Sequence, residues 1–392
     1  MGSEMCIRDS KKGDKTDPSN YRGISLLNVI SKIYTSLLTN RLYCWAEKNG
    51  KISSEQAGFR KNHSTIDHIY TLYQMISNCL FGNSRKKFYC IYIDFQKAFD
   101  TVDRTKLWEI LHNIGVSTKF LITLKAMYKE VTGKVRVGSE YSETINCPAG
   151  VKQGCKLSPI LFSLLINELA KQINIHGRNG YQFLPGTNIL KILLFADDIA
   201  LFALTPASLQ HAINILEFYA GQMGLKVNIQ KTKIIVFRKG GFLGKSEKWF
   251  LNGERIETVN NYKYLECLMT TKLSEEIALA EYVGRAKSKV YAILKTLKTL
   301  GRVDIKIFFK LFDSQVTSAL MYGSELWGLT PYDIIESVHV FACKKLLGVR
   351  KQTPNCLIYG ETGRLPLCEI HCLKYWHKII NMDPDRWPKI AY

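Results

Sequence analysis

Leu193-Leu194-Phe195-Ala196-Asp197-Asp198-Ile199-Ala200-Leu201-Phe202 sets two short apolar runs on either side of a pair of aspartates. Runs of this length predict strand, tight turn, strand. Both carboxylates then sit at the turn, where adjacent like charges in an apolar hairpin are costly unless a cation compensates them. The competing reading is that Asp-Asp is simply turn chemistry, for which aspartate is common. The dipeptide alone does not decide.

Upstream, Phe88 to Phe95 is β-rich and aromatic, and Asp94 closes Tyr89-Cys90-Ile91-Tyr92-Ile93. Phosphoryl transfer to a 3′-hydroxyl is served by two hard divalent cations about 3.5–4 Å apart, which prefer carboxylate oxygens from converging strand ends. Asp94, Asp197 and Asp198 are therefore the candidate metal ligands. Around them the helical period recurs. Ile30, Ile33, Tyr34, Leu37, Leu38 and Leu42 share such a pattern, as do Thr65 to Cys79 and Arg104 to Lys129. Lys134 to Cys147 alternates like a hairpin, and Ser158-Pro159 opens a helix with proline in its first turn. Beyond about Lys272 helices take over, giving an α+β chain with acids at strand ends and turns.

In the helical part, Val283, Ala286, Val290, Ile293, Leu294 and Leu297 fall on one face at 100° per residue. Lys287, Lys295 and Lys298 fall on a neighbouring face, which can meet a phosphate backbone or merely be solvated. Composition favours a polyanionic partner. The 392 residues carry 54 Lys plus Arg against 34 Asp plus Glu, a formal net charge of +20. No basic amphipathic anchor or lipidation signal points to a membrane. The longest apolar stretch, Ile189 to Leu204, contains Lys191, Asp197 and Asp198 and is no membrane span. Eleven scattered cysteines, an odd number, fit free thiols and a reducing compartment.

Read together, the motifs resemble a known family. In order they are Gln56-Ala57-Gly58-Phe59-Arg60, Tyr92-Ile93-Asp94-Phe95-Gln96-Lys97-Ala98-Phe99-Asp100, Gln153-Gly154-Cys155-Lys156-Leu157-Ser158-Pro159 and Phe195-Ala196-Asp197-Asp198. Gly224-Leu225-Lys226-Val227-Asn228, Lys231-Thr232-Lys233 and Tyr262-Lys263-Tyr264-Leu265 follow. This order is similar to that of the reverse transcriptases of non-LTR (LINE-type) retrotransposons. The resemblance runs from about Lys11 to about Leu347.

It implies a right-hand polymerase with fingers, an antiparallel-sheet palm and a helical thumb. The expected division is a leader or scar at 1–10 and fingers at 11–88. The palm, with part of the fingers inserted, is expected at 89–268, the thumb at 269–347 and a helical extension at 348–392. The implied activity is RNA-directed DNA polymerisation on an RNA template and DNA primer with dNTP substrates. Two Mg²⁺ ions serve it, with Mn²⁺ able to substitute. Asp94 and Asp197 would hold both metals with Asp198 alongside, and the Phe95 carbonyl would add a ligand. Phe99 would exclude a 2′-hydroxyl. Gln153 and Gly154 would line the nucleotide pocket, and Arg60 would bind the triphosphate. Lys231 would protonate the pyrophosphate, with Lys233 as rival, and Tyr264 would belong to the hairpin that grips the primer. Relatives carry a nicking endonuclease upstream, so this chain is expected to polymerise but not cut DNA. An intracellular setting is expected, with nucleus and cytoplasm both open.

Two departures from the pattern stand out. Glu266 occupies a turn position where the family has Gly, which places the hairpin geometry in question, and Lys156 replaces a Pro. A catalytically inactive nucleic-acid-binding remnant and an RNA-dependent RNA polymerase are the competing functions. Retained Asp94, Asp197 and Asp198 argue against the first, and Phe99 against the second. Cys356, Cys368, His371, Cys372 and His377 cluster near the C-terminus, but their spacing matches no compact zinc knuckle.

Overall fold

The computed structural model describes residues 2–8, 22–82, 86–137, 139–186, 188–301, 304–327, 333–367 and 370–392. In chain order the first half contains β1 (Gly2–Arg8), β2 (Arg22–Leu26), α1 (Val29–Lys48), α2 (Thr65–Phe81), β3 (Phe88–Ile93), α3 (Ala98–Thr101), α4 (Arg104–Asn113) and α5 (Thr118–Tyr128). Then come β4 (Thr132–Val137), β5 (Glu140–Tyr141), β6 (Ile145–Asn146), α6 (Leu157–His176), β7 (Ile192–Phe195), β8 (Asp198–Ala203), α7 (Pro206–Met223) and β9 (Lys233–Phe237). Short strands β10 (Phe250–Leu251), β11 (Glu254–Arg255), β12 (Glu257–Thr258), β13 (Asn261–Tyr264) and β14 (Cys267–Thr270) lead into the helices. These are α8 (Glu275–Thr299), α9 (Ile305–Phe312), α10 (Ser318–Leu320), α11 (Ser324–Trp327), α12 (Asp333–Leu347), α13 (Asn355–Thr362), α14 (Ile370–Ile380) and α15 (Trp387–Ala391).

The chain divides into two units. The first comprises Met1–Thr65, Phe88–Ile234 and Phe242–Thr258. Its centre is the antiparallel set β3, β8 and β7, with β8 between the other two. Every residue of β3 is buried, as are the last five of β8. Their near-continuous apolar runs follow from burial on both faces, and α7 supplies part of that cover. The apolar stretch read as one helix from Arg104 to Lys129 is broken at Gly115, which takes φ +97° between α4 and α5.

Two sequence expectations change here. Gly2–Arg8, expected to stand outside the fold, forms β1, antiparallel to β2 and parallel to β4. In α1 the helical period holds, but only Leu38 and Leu42 of the apolar stripe are buried. Ile30, Ile33, Tyr34 and Leu37 are exposed.

The second unit comprises Ile66–Lys87, Ile235–Gly241 and Val259–Tyr392. The α8 stripe Val283, Ala286, Val290, Ile293, Leu294 and Leu297 is buried, in one cluster with Phe308, Phe312, Val338 and Ala342. Each such Val, Leu or Ile contributes about 1.5–3 kcal/mol by leaving water. The residues of α2 from Ile66 onward, expected among the fingers, group with the C-terminal helices instead. The tie is electrostatic: Asp67, 2% exposed in its side chain, pairs with Lys378 Nζ at 3.1 Å and Arg386 at 2.6 Å. A charge that deep in the protein persists only when paired and hydrogen-bonded, and Tyr375 Oη donates to it as well, at 3.2 Å. No described helix is long and apolar enough to cross a membrane.

Candidate active site

The antiparallel register of β3 and β8 pairs Tyr92 with Ala200 and Ile93 with Ile199. One step further sets Asp94 across from Asp198, so the two acids occupy facing positions at one end of the sheet. Phe195 pairs with Asp198, leaving Ala196 and Asp197 as a two-residue turn. Ala196 takes φ +59°. A positive φ at the first central residue suits the right-handed twist of a hairpin, but it is unfavourable for a residue with a Cβ.

Asp94 is held by its backbone from the segment that follows α7. Its N–H donates to Thr232 Oγ1 at 3.3 Å, and its carbonyl accepts from Asn228 N at 2.7 Å. Gln96 N donates to Lys226 O at 2.8 Å across an antiparallel bridge between Phe95 and Val227. That bridge uses the Asp94 carbonyl and the Gln96 N–H and neither peptide group of Phe95. Asn228 shapes the turn itself, accepting from Lys231 N through both its side chain and its carbonyl. The turn brings Lys231 Nζ to 3.8 Å from Asp94 Oδ2. Lys233, the rival proton donor, is paired with Glu257 at 2.5 Å.

The aspartate turn is braced from its other side. Glu55 to Gly58 lies along β7: Leu194 N donates to Glu55 O at 2.8 Å and Ala57 N to Leu194 O at 3.0 Å. Gln56 Oε1 accepts from Gly58 N at 2.8 Å and from Ala196 N at 3.3 Å. A Cβ on Gly58 would stand 2.3 Å from Ala196 N, so only glycine allows this approach. Arg60, expected to bind a triphosphate, is 15% exposed and forms a bidentate pair with Glu47 at 2.8 and 2.9 Å. Its Nη1 donates to the Ser53 and Gln56 carbonyls, both at 3.1 Å. The guanidinium thus fastens the loop that braces the turn.

Phe99 lies half-buried in α3 and stacks on Phe162, with centroids 4.8 Å apart and planes at 24°. The Phe99 carbonyl accepts from Val151 N at 2.7 Å, and Val102 O accepts from Gly150 N at 2.9 Å, which docks the 147–153 loop on α3. Arg104 secures the loop further, donating to Gly150 O at 2.8 Å and Ala149 O at 3.0 Å. Gln153 and Lys152 line a cleft of about 390 Å³ with Lys97 and Asp100. Burial holds the Lys152 ammonium below the ordinary lysine range. Gly154, at φ +103°, turns the chain toward α6.

Residues 10–267 match the family described as reverse transcriptase (RNA-dependent DNA polymerase). The chain belongs to this family. It is 25% identical over 377 residues to the retrovirus-related Pol polyprotein from type-1 retrotransposable element R2 of Popillia japonica, covering 92% of this chain and 50% of that protein. It is 26% identical over 337 residues to a probable RNA-directed DNA polymerase from transposon BS of Drosophila melanogaster, and 24% over 341 to that from mobile element jockey of the same species. Each of these covers 84% of this chain and 36% of the relative. The chain therefore spans half or less of the length of these relatives. A telomerase from Candida albicans shares the fold, with TM-score 0.53 at 10% identity over 93% of this chain and 66% of that one.

For a reverse transcriptase, three carboxylates at adjoining strand ends are an oxygen-rich donor set suited to a hard divalent cation. Among the described residues, however, no three His, Cys, Asp or Glu side chains converge closely enough to hold an ion. Asp94 and Asp198 stand at one end of the sheet, with Asp197 in the turn beside them. Like charges repel, and Asp94 faces the Lys231 cation. Thr232, Asn228 and Gln56 belonged to quoted motifs, but the bonds of the first two to the Asp94 backbone and of Gln56 to Ala196 N were not foreseen.

In the second unit, Tyr264 is corrected as a nucleic-acid contact: it is 2% exposed, at the end of β13 where it pairs with Cys267 of β14. That hairpin forms despite Glu266, with Leu265 at φ +45° and Glu266 at φ +65°. Tyr322 Oη donates to Leu265 O at 2.7 Å and Tyr282 Oη to Glu266 O at 3.1 Å, tying down both strained residues. Lys295 and Lys298 are exposed, while Lys287 lies over the Phe341 ring at 5.9 Å. Eight of the cysteines are free thiols. Of the C-terminal Cys and His residues weighed for zinc, Cys368 and the side chains of His371 and Cys372 lie outside the described residues.

Proposed function

We propose that the chain is an RNA-directed DNA polymerase that adds nucleotides from dNTPs to a primer 3′-hydroxyl on an RNA template. The observation that carries the reading is the facing placement of Asp94 and Asp198 beside the Asp197 turn, in a chain of the reverse transcriptase family. Asp94, Asp197, Asp198 and the Phe95 carbonyl would hold the Mg²⁺ ions. When bound, these supply charge neutralisation for the attacking and leaving oxygens. Thr232 and Asn228 fix the Asp94 backbone, so its carboxylate is aimed before substrate arrives. Lys231 Nζ, exposed and beside Asp94, holds a proton for the departing pyrophosphate, a role to which Lys233 is less suited because Glu257 engages it.

Phe99, made rigid by its stack on Phe162, stands as the barrier to a 2′-hydroxyl. Gln153, Gly154 and Lys152 border the pocket for the incoming nucleotide. Arg60 serves by bracing the turn through Glu47 and the Ser53 and Gln56 carbonyls, and binds a triphosphate only by exchanging Glu47 for it. Lys295 and Lys298 offer charge to the template–primer backbone, and with a net charge of +20 binding should weaken steeply with salt. The relatives' names support a retrotransposon origin. The test is extension of a DNA primer on an RNA template with Mg²⁺ by the parent and by Asp94→Asn and Asp197→Asn. The parent should extend and both variants should lose about a thousandfold, the equivalent of several kcal/mol of charge stabilisation. Parental extension by Asp197→Asn would refute the assigned chemistry.

A further inference from the structure

We propose that Gln56 is a positioning residue for Asp197. Its side-chain oxygen clamps the backbone of Ala196 and so sets where the next carboxylate points. The idea rests on the polymerase reading above.

Gln56 is fully buried, at 0% exposure. A buried amide is tolerated only where its polar atoms find partners. Here the oxygen has two, the N–H groups of Gly58 at 2.8 Å and Ala196 at 3.3 Å. Both partners are donors, so the orientation of the amide is fixed: turned over, it would set NH₂ against two N–H groups. The cost falls on the other atom. Gln56 Nε2 is buried without a hydrogen-bond partner, a penalty of about 1–3 kcal/mol. An apolar side chain of similar length would avoid that penalty but would strip the Gly58 and Ala196 N–H groups of this acceptor, so the amide is kept for those two bonds.

What the oxygen does hold is the least relaxed point of the aspartate turn. Ala196 at φ +59° is disfavoured by roughly 1–2 kcal/mol for a residue with a Cβ, and neither Gly nor Asn is present to relieve it. One hydrogen bond contributes about 1 kcal/mol, comparable to that strain. The backbone of Glu55 to Gly58 runs along β7, and Gly58 comes so close that a Cβ there would lie 2.9 Å from Phe195 C. The turn is therefore walled by Gly58 and pinned by Gln56. Without the pin, Ala196 is free to relax, and Asp197, the adjoining residue, moves with it.

The test compares the parent with Gln56→Leu, which removes the acceptor, and Gln56→Glu, which keeps it. Three readouts are single-nucleotide incorporation, template–primer Kd, and Tb³⁺ luminescence titration as a probe of the carboxylate site. Gln56→Leu should lower kcat by about 10- to 100-fold, as expected for a misaimed catalytic group. It should weaken Tb³⁺ binding while leaving KM for dNTP and template Kd within about twofold. Gln56→Glu should restore most of the lost kcat. An unchanged kcat overturns the proposal, as does a loss confined to KM or template affinity, or one that Gln56→Glu shares in full. Should Gln56→Leu not fold, Gln56→Met takes its place with the same expectations. A parent that extends no primer counts against the polymerase reading. The Tb³⁺ titration then still decides the role of Gln56, and equal affinity in parent and variant overturns it.

Discussion

Replacing Thr232 by Val tests whether the Asp94 backbone is held for catalysis. Thr232 is 0% exposed, and its hydroxyl accepts from Asp94 N at 3.3 Å. Valine keeps the shape and removes the acceptor. A neutral hydrogen bond contributes about 0.5–1.5 kcal/mol, and at this length about 1 kcal/mol is the reasonable value. For a domain of 150–250 residues that lowers Tm by about 2–4 °C. The kinetic effect should be larger than the thermal one. A misplacement of about 1 Å at a reacting centre costs about 100-fold, but the Asn228 N bond to the Asp94 carbonyl at 2.7 Å remains and limits the shift. A loss of about 10-fold in kcat is therefore expected, read as single-nucleotide incorporation at saturating dNTP and Mg²⁺. Thr232→Ser is the discriminating companion. It keeps the hydroxyl and deletes a buried methyl, which costs about 1 kcal/mol with its cavity. The two variants should thus melt alike and differ in rate. Equal kcat losses, or a Thr232→Val variant with parental kcat, would show that the bond supports only the fold.

Phe99→Ala should lower the preference for dNTP over NTP by roughly 10-fold or more, because the barrier is the packed ring itself, and unchanged ribonucleotide use would remove Phe99 from that role. Glu266→Gly should stabilise the protein by about 0.5 kcal/mol. Relief of about 1–2 kcal/mol of left-handed strain outweighs glycine's extra unfolded freedom and the loss of the exposed Lys263 pair, and a lower denaturant midpoint would contradict this. Burial raises the Glu325 carboxyl above its ordinary range. The folded state then binds its proton more readily than the unfolded state does. This contribution is full below the unfolded value and fades as pH rises through the folded one. Glu325→Gln should flatten that part of the melting-temperature profile, and a profile identical to the parent's would show that Glu325 does not carry it.

Much of the centre was legible in the residues alone. Leu193 to Phe195 and Ile199 to Phe202 could be little but strands, since short apolar runs broken by two aspartates leave a hairpin as the solution that frees both carboxylates. The buried face of α8 was readable because 100° per residue is a local property of the chain. The order of motifs was enough to indicate the family, and the family match covers the same blocks. Tertiary packing decided the rest. Periodicity showed that Ile30, Ile33, Tyr34 and Leu37 share a helix face, but whether another element covers that face depends on distant chain, and among the described residues these four stay exposed. Tyr264 was a contact residue only by resemblance and is core, because a motif names a hairpin without saying which of its side chains the fold buries. Arg60 carries a charge that a phosphate or a carboxylate can claim, and the fold brought Glu47 to it first. Thr232, Asn228 and Gln56 act through backbone atoms of residues far away in sequence. Local propensity specifies which segments become strands and helices; which backbone groups those segments then offer one another is set only when they pack.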